Sequence, residues 1–213
     1  MDKNINVAIL DSGSSIESFE KIAIKIDKNQ KATIEPQQEL KFNHGEVINS
    51  IINDTDINIY DIQIFDNELR TTPLHIYYAL EYLLDKKIDV INLSLGISQD
   101  YQEIKELCQK LLDNDTTIVS SYPRRSTVQV FPASYNGVIK VTSEGMCKDD
   151  KVVSLDKNQE YFGANPFSSI KEVAGSSVAV AKFTKEYCQY LKKGYTKKQI
   201  LQEFSKRRVY EAY

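Results

Sequence analysis

The feature that most constrains the fold is a repeated alternation of short apolar runs with longer amphipathic segments. Near-continuous apolar runs at Ile5–Leu10 and Ile88–Leu93 are typical of strands buried on both faces. Thr72–Leu84 and Asp100–Leu112 carry apolar residues at helical spacing instead. Strands that alternate with helices of these lengths predict an α/β fold in three layers, with a mostly parallel central sheet flanked by helices.

The remaining elements fit the same plan. Further strands are predicted at Lys21–Ile26, Lys31–Glu35, Ile57–Phe65, Thr116–Ser121 and Val138–Thr142, and further helices at His44–Ile52, Ser176–Leu191 and Thr196–Phe204. Lys21–Ile26 and Lys31–Glu35 are expected to pair as an edge hairpin. Asn43 and Thr72 are candidate N-caps of the helices that follow them. Because no repeat or linker interrupts the 213 residues, we expect one domain spanning residues 1–213.

Composition excludes several functional classes. The net charge of −3 predicts no nucleic-acid partner and no membrane-surface partner. No segment approaches the roughly 20 apolar residues that a membrane span requires. Three scattered cysteines without metal-ligand spacing indicate reduced thiols, with Cys108 and Cys188 on buried helix faces. Since the N-terminus also lacks a secretion signal, we expect a cytoplasmic protein, or one exported by a signal outside this sequence.

Three polar positions have the residue types of a hydrolytic triad. Asp11 ends the first apolar strand, His44 begins a helix, and Ser177 lies in a small-residue segment that opens another helix. Each has a simpler explanation taken alone: a turn residue, a surface histidine and a helix cap. An acid, a base and a hydroxyl in the order Asp, His, Ser is nevertheless one of the known chain orders for serine hydrolases.

Five segments in order resemble the subtilisin-like serine proteases (subtilases). They are the strand and turn ending in Asp11-Ser12-Gly13, Asn43-His44-Gly45, Asp89–Gly96, Phe131-Pro132-Ala133 with its following strand, and Val173–Ala179. The resemblance implies that Ser177 is the nucleophile, His44 the general base and Asp11 the residue that orients it. It also implies that an extended peptide or protein substrate pairs with Ser94-Leu95-Gly96.

The chain departs from the family at the oxyanion hole. Subtilases carry an asparagine after the strand matching Thr116–Ser121, and this chain has none there. The backbone N–H of Ser177 remains a donor, and Ser121, Arg124 or Arg125 are candidates for the second donor. We expect no cofactor, and no structural metal because the loops that carry calcium in secreted subtilases are too short here. The oligomeric state and the substrate sequence are not determined by these patterns.

Three functions remain open on this basis. The first is an intracellular, substrate-restricted serine endopeptidase that processes a precursor peptide. The second is a pseudoprotease that binds a peptide or a partner protease without cleaving it, because the usual asparagine is missing. The third is an esterase or acyl transferase that uses the same triad.

Overall fold

The computed structural model describes residues 4–39, 44–124, 128–147, 149, 151–156 and 160–207. Its strands are β1 (Ile5–Asp11), β2 (Glu20–Ile26), β3 (Ala32–Glu35), β4 (Ile57–Gln63), β5 (Val90–Leu93), β6 (Thr117–Ser121), β7 (Ile139–Ser143), β8 (Val153–Ser154) and β9 (Tyr161–Ala164). Its helices are α1 (His44–Ile52), α2 (Pro73–Leu83), α3 (Gln102–Asp113), α4 (Ser176–Lys192) and α5 (Lys197–Ser205).

The strands form a single sheet in the order β3-β2-β4-β1-β5-β6-β7-β9-β8. Every pairing from β2 to β9 is parallel, and only the two outer strands, β3 and β8, run antiparallel to their neighbours. The carboxyl ends of the seven parallel strands therefore meet at one edge of the sheet, which is where ligands bind in open α/β folds.

Two apolar layers cover the two faces of the sheet. On one face, alternate residues of β1 such as Val7 and Ile9 pack against α1, α4 and α5. On the other face, their neighbours Ala8 and Leu10 pack against α2 and α3. Because consecutive strand residues point to opposite faces, a strand buried on both sides must be apolar throughout, as Ile5–Leu10 nearly is. The predicted three-layer α/β fold is confirmed.

The sequence patterns missed two strands and misassigned one cap. β8 and β9 follow β7 but are only two and four residues long, too short to show a periodic pattern. Thr72 precedes α2 but forms no side-chain cap, since its hydroxyl pairs with His75 Nδ1 at 2.8 Å. Thr196, by contrast, forms a complete capping box with Gln199 at the start of α5. The predicted cap Asn43 lies outside the described residues.

The structure also tests the predictions for the cysteines and for the edge hairpin. Cys108, Cys147 and Cys188 are free and buried, and the predicted positions of Cys108 and Cys188 on buried helix faces are confirmed. The predicted edge hairpin of β2 and β3 is also confirmed. Among the described residues, every helix is too short or too polar to cross a membrane.

Candidate active site

Asp11 and Ser94 lie side by side at the carboxyl edge of the sheet. β1 and β5 pair in parallel with Leu10 opposite Leu93, so the next residue of each strand, Asp11 and Ser94, occupies the same level. Neighbouring strands lie about 5 Å apart. Asp11 contacts His44, and Ser94 contacts Ser177. The two strand ends therefore bring the three predicted triad residues to the same edge of the sheet.

His44 reaches Asp11 because the start of α1 packs directly on the turn that follows β1. The Gly45 amide donates to Ser12 Oγ at 2.8 Å, and a Cβ on Gly45 would lie 2.3 Å from the Gly13 carbonyl oxygen. Only glycine permits so close an approach. Gly13 itself has a φ of 80°, which suits the left-handed turn at this point.

The contact between Asp11 and His44 is a short hydrogen bond in a partly buried setting. Asp11 Oδ1 lies 2.7 Å from His44 Nδ1 and also accepts from the Ser12 amide at 2.7 Å. The Asp11 side chain is fully buried, whereas a quarter of the His44 side chain is exposed. Since Nδ1 faces the carboxylate, the neutral imidazole carries its proton on Nδ1 and leaves Nε2 as the base.

Asp11 also controls the charge state of His44. Burial on its own lowers the pKa of this imidazole, but the hydrogen bond to Asp11 and the negative charge of Asp11 outweigh it, so the pKa is raised above 6.5. An imidazolium formed at this position is therefore stabilised by the carboxylate beside it. A base with these properties can accept a proton and hold it near neutral pH.

Ser177 lies in the first turn of α4, beside the same sheet edge. Gly175 precedes the helix with a φ of 109°, and its amide donates to the Pro166 carbonyl at 2.9 Å. The Ser177 hydroxyl donates to the carbonyl oxygen of Ser94 at 3.0 Å and forms no hydrogen bond with the His44 ring. To form a hydrogen bond with the imidazole, the hydroxyl must leave the Ser94 carbonyl. Hydrogen bonds between a nucleophile and its base are often long or poorly aligned before substrate binds.

In the segment Ser94-Leu95-Gly96, the first residue is held by a hydrogen bond and the last is exposed. The Ser94 hydroxyl accepts from Asn92 Nδ2 at 2.9 Å, and the Asn92 carbonyl oxygen Oδ1 accepts from the Thr184 hydroxyl of α4. Gly96 is exposed, and its backbone amide and carbonyl form no hydrogen bond with the described residues. A peptide strand can use these groups.

The candidate oxyanion donors lie in different environments. Like the other amides in the first turn of α4, the Ser177 N–H has no partner within the helix. Arg124 Nη1 donates to the Ser143 carbonyl at 3.1 Å and pairs with the almost fully buried carboxylate of Glu144. Ser121 is half-buried, and no hydrogen bond of its hydroxyl is found in the described part of the chain. Arg125 lies outside the described residues.

The sequence patterns did not predict the supporting contacts that two charged residues make. Glu46 accepts from both the amide and the hydroxyl of Ser15, at 2.6 and 2.8 Å, and so ties α1 to the loop after β1. Lys182 donates to Asn165 Oδ1 at 3.2 Å and to the Phe167 carbonyl at 2.7 Å, and so holds the loop that precedes Ser177. Charged residues on helices ordinarily face solvent, which is what the sequence predicts for Lys182, whereas its ammonium group holds the loop instead.

The side chains gathered at this edge supply a carboxylate, an imidazole and a hydroxyl, from Asp11, His44 and Ser177. These are the three groups of acyl transfer by a serine nucleophile. Among the residues that the structure describes, no group of three or more His, Cys, Asp or Glu side chains is placed to hold a metal ion.

Comparisons with known proteins identify the fold. No protein-family model and no curated protein sequence matches this chain. Among solved structures, sphericase is 13% identical, with a TM-score of 0.70 over 97% of this chain and 83% of that one. The prenylagaramide maturation protease PagA is 16% identical, with a TM-score of 0.65 over 93% and 80%. A cold-adapted subtilisin-like serine proteinase is 14% identical, with a TM-score of 0.69 over 94% and 81%. The chain has the fold of the subtilisin-like proteases.

Proposed function

We propose that this chain, which has the subtilisin-like fold, is a serine endopeptidase acting through Asp11, His44 and Ser177. The observation that carries the proposal is the 2.7 Å contact between Asp11 and His44, one strand away from the carbonyl that holds Ser177. A buried carboxylate that orients a neutral imidazole, and stabilises the charged form made when it accepts a proton, is what a hydroxyl nucleophile requires for activation.

The proposed reaction is acyl transfer to water. Ser177 Oγ attacks a peptide carbonyl carbon while His44 Nε2 takes the hydroxyl proton, and Asp11 stabilises the resulting imidazolium. The tetrahedral intermediate then collapses, the C–N bond breaks, and the proton on His44 passes to the leaving amine. A water molecule repeats the sequence on the acyl-enzyme. The oxyanion is stabilised by the Ser177 N–H, with Arg124, Ser121 or Arg125 as the second donor.

We further propose a restricted substrate, namely a precursor peptide that binds as an extended strand along Ser94-Leu95-Gly96. The free amide and carbonyl of Gly96 support this mode of binding. One of the proteins with this fold is named a maturation protease, which favours processing over general digestion. Three free cysteines are compatible with the cytoplasm as the site of action.

The experiment compares cleavage of a peptide mixture by wild type, by Ser177→Ala and by Ser205→Ala as a control at the far end of α5. Mass spectrometry identifies new peptide ends. We expect defined cleavage sites with wild type and with Ser205→Ala, and background levels with Ser177→Ala. Equal products from wild type and Ser177→Ala would contradict the proposal.

The second candidate is a pseudoprotease that binds a peptide or a partner protease on the same edge without cutting. It is favoured by one specific observation, which is that Arg124 follows β6 where the family has its asparagine and is engaged by Glu144 and Ser143. This function predicts that neither wild type nor Ser177→Ala produces new peptide ends in that experiment, and that both proteins bind the same peptides equally.

A further inference from the structure

The space in front of Gly96 is occupied by one valine side chain. A Cβ placed on Gly96 would lie 2.2 Å from Val130 Cγ1, much closer than any real contact, whereas the carbonyl oxygens of Ser121 and Phe131 would be 3.7 and 3.8 Å away. Val130 thus lies directly against the bare backbone of Gly96. The side chain of Val130 therefore fills the part of the slot between the ends of β5 and β6 that borders Gly96.

Val130 is held in that position by its own backbone. Its amide donates to Ser134 Oγ at 3.3 Å, and its carbonyl accepts from the Ser134 amide at 2.9 Å. The next residue, Phe131, forms two 2.8 Å hydrogen bonds with Ile97, the residue after Gly96. Because these contacts fix the backbone on both sides, Val130 can leave Gly96 without breaking them only by a change of its side-chain rotamer, which β-branching restricts.

A bound peptide would meet this valine at a defined residue. Ser177 Oγ lies 3.0 Å from the Ser94 carbonyl oxygen, so a peptide carbonyl within reach of this hydroxyl lies at the Ser94 end of the segment. If that peptide pairs with Ser94-Leu95-Gly96, the side chain of the residue carrying the attacked carbonyl lies beside the ends of β5 and β6, where the Ser121 carbonyl is 3.7 Å from a Cβ placed on Gly96. Val130 Cγ1 lies in that region, 2.2 Å from the same Cβ position.

We propose that Val130 restricts this site to peptides with glycine or alanine immediately before the scissile bond. The inference rests on the proposed protease function and adds a substrate class to it. A larger side chain would have to share the volume of Val130 Cγ1 or force the valine into another rotamer, and either change is unfavourable. A pocket that differs by a single methylene group already discriminates between substrates by about 10–200-fold.

The test uses three reagents that react with an activated serine hydroxyl. A small alkyl fluorophosphonate reports the reactivity of Ser177 and has no peptide side chain. Two acetyl-tripeptide diphenyl phosphonates, ending in the alanine analogue or in the phenylalanine analogue, differ only in the side chain that enters the slot. Labelling rates are measured on wild type, Val130→Gly, Val130→Ala and the control Val128→Gly, whose side chain is exposed.

We expect the alanine reagent to label wild type at least about 10-fold faster than the phenylalanine reagent. Val130→Gly should accelerate the phenylalanine reagent by at least a similar factor, Val130→Ala by less, and Val128→Gly not at all. Equal rates for the two peptide reagents on wild type, or no acceleration in Val130→Gly, would overturn the inference while leaving the protease function intact. Failure of the fluorophosphonate to label wild type would instead overturn both.

Discussion

At the scale of single residues, the pairing of Asp11 with His44 sets the pH range of the proposed activity. The general base must be neutral to accept the Ser177 proton, and the raised pKa of His44 keeps it protonated to a higher pH than an ordinary histidine. Activity should therefore increase with pH through a value above 6.5.

The Asp11→Asn variant tests that coupling. Without the carboxylate, burial is the main remaining influence and lowers the pKa of His44, so the acid limb should move to lower pH. The imidazole also loses its orienting acceptor, and kcat/KM should fall by about 10³–10⁴-fold. The measurement is kcat/KM against pH for both proteins. An unchanged acid limb in Asp11→Asn would show that the carboxylate does not act on His44.

Asp61 provides a second residue-scale prediction, this time for stability. Its buried carboxyl accepts from the Ser14 hydroxyl at 2.7 Å, and burial raises its pKa above 3.8 despite that bond. Folding therefore favours the protonated form, and ionisation costs stability once the pH exceeds the unfolded pKa. Asp61→Asn should raise the free energy of unfolding at pH 8, with the gain disappearing below the unfolded pKa.

Asp66 is the matched control for Asp61, because its pKa is shifted in the opposite direction. Asp66, which is partly exposed, accepts from the backbone amides of Arg70 and Glu68, and these bonds lower its pKa below 3.8. Asp66→Asn should therefore destabilise the protein at pH 8 and have little effect at low pH. Urea unfolding of both variants at several pH values measures the two slopes. Parallel pH profiles for the two variants would contradict the assigned environments.

At the scale of elements, the start of α1 is positioned by the turn after β1 and not by its own sequence. Gly45→Ala would place a Cβ within 2.3 Å of the Gly13 oxygen, a backbone atom that cannot yield cheaply. α1 must then shift and carry His44 with it. Since a displacement of about 1 Å can cost roughly 100-fold in rate, activity should fall more than stability does.

The control for Gly45→Ala is Gly145→Ala. Gly145 is exposed, and no described atom lies within 4 Å of the Cβ that alanine would add. Comparison of kcat/KM and Tm for the two variants separates a local displacement of His44 from a general cost of adding a methyl group. Equal activity of Gly45→Ala and wild type would show that the close approach at Gly13 does not position the base.

Elements also show how much of the fold the sequence predicts. The strands that run through the middle of the sheet and all the described helices were predictable because burial on two faces, or on one helical stripe, imposes a strong apolar pattern. β8 and β9 were not, because a pair this short is formed by its pairing with β7 and not by its own periodicity. Val130 and Glu144 were missed because their roles depend on contacts between loops distant in sequence.

At the scale of the whole molecule, the helix that carries the nucleophile packs into the apolar core. α4 begins beside Ser94, and near its middle Phe183 joins an aromatic cluster in which the Phe204 ring of α5 lies 5.3 Å from the Phe183 ring and 6.1 Å from the Phe162 ring. Phe204 is fully buried. The placement of Ser177 thus depends on how well α4 is packed along its length.

Removal of the Phe204 ring should affect the whole fold. Phe204→Ala should lower the free energy of unfolding by about 3–5 kcal/mol, whereas Phe167→Ala, which removes an exposed ring, should change it by no more than about 0.5 kcal/mol. Urea titration monitored by circular dichroism gives both values. A loss below about 1 kcal/mol for Phe204→Ala would show that α5 is not an integral part of the core.

The most direct measurement is the site of fluorophosphonate attachment in wild type and in His44→Ala, mapped by peptide mass spectrometry. We expect one adduct, on Ser177, with a labelling rate that falls by at least about 10³-fold when the imidazole is removed. An adduct on another residue, no adduct on wild type, or equal labelling of Ser177 in both proteins would contradict it.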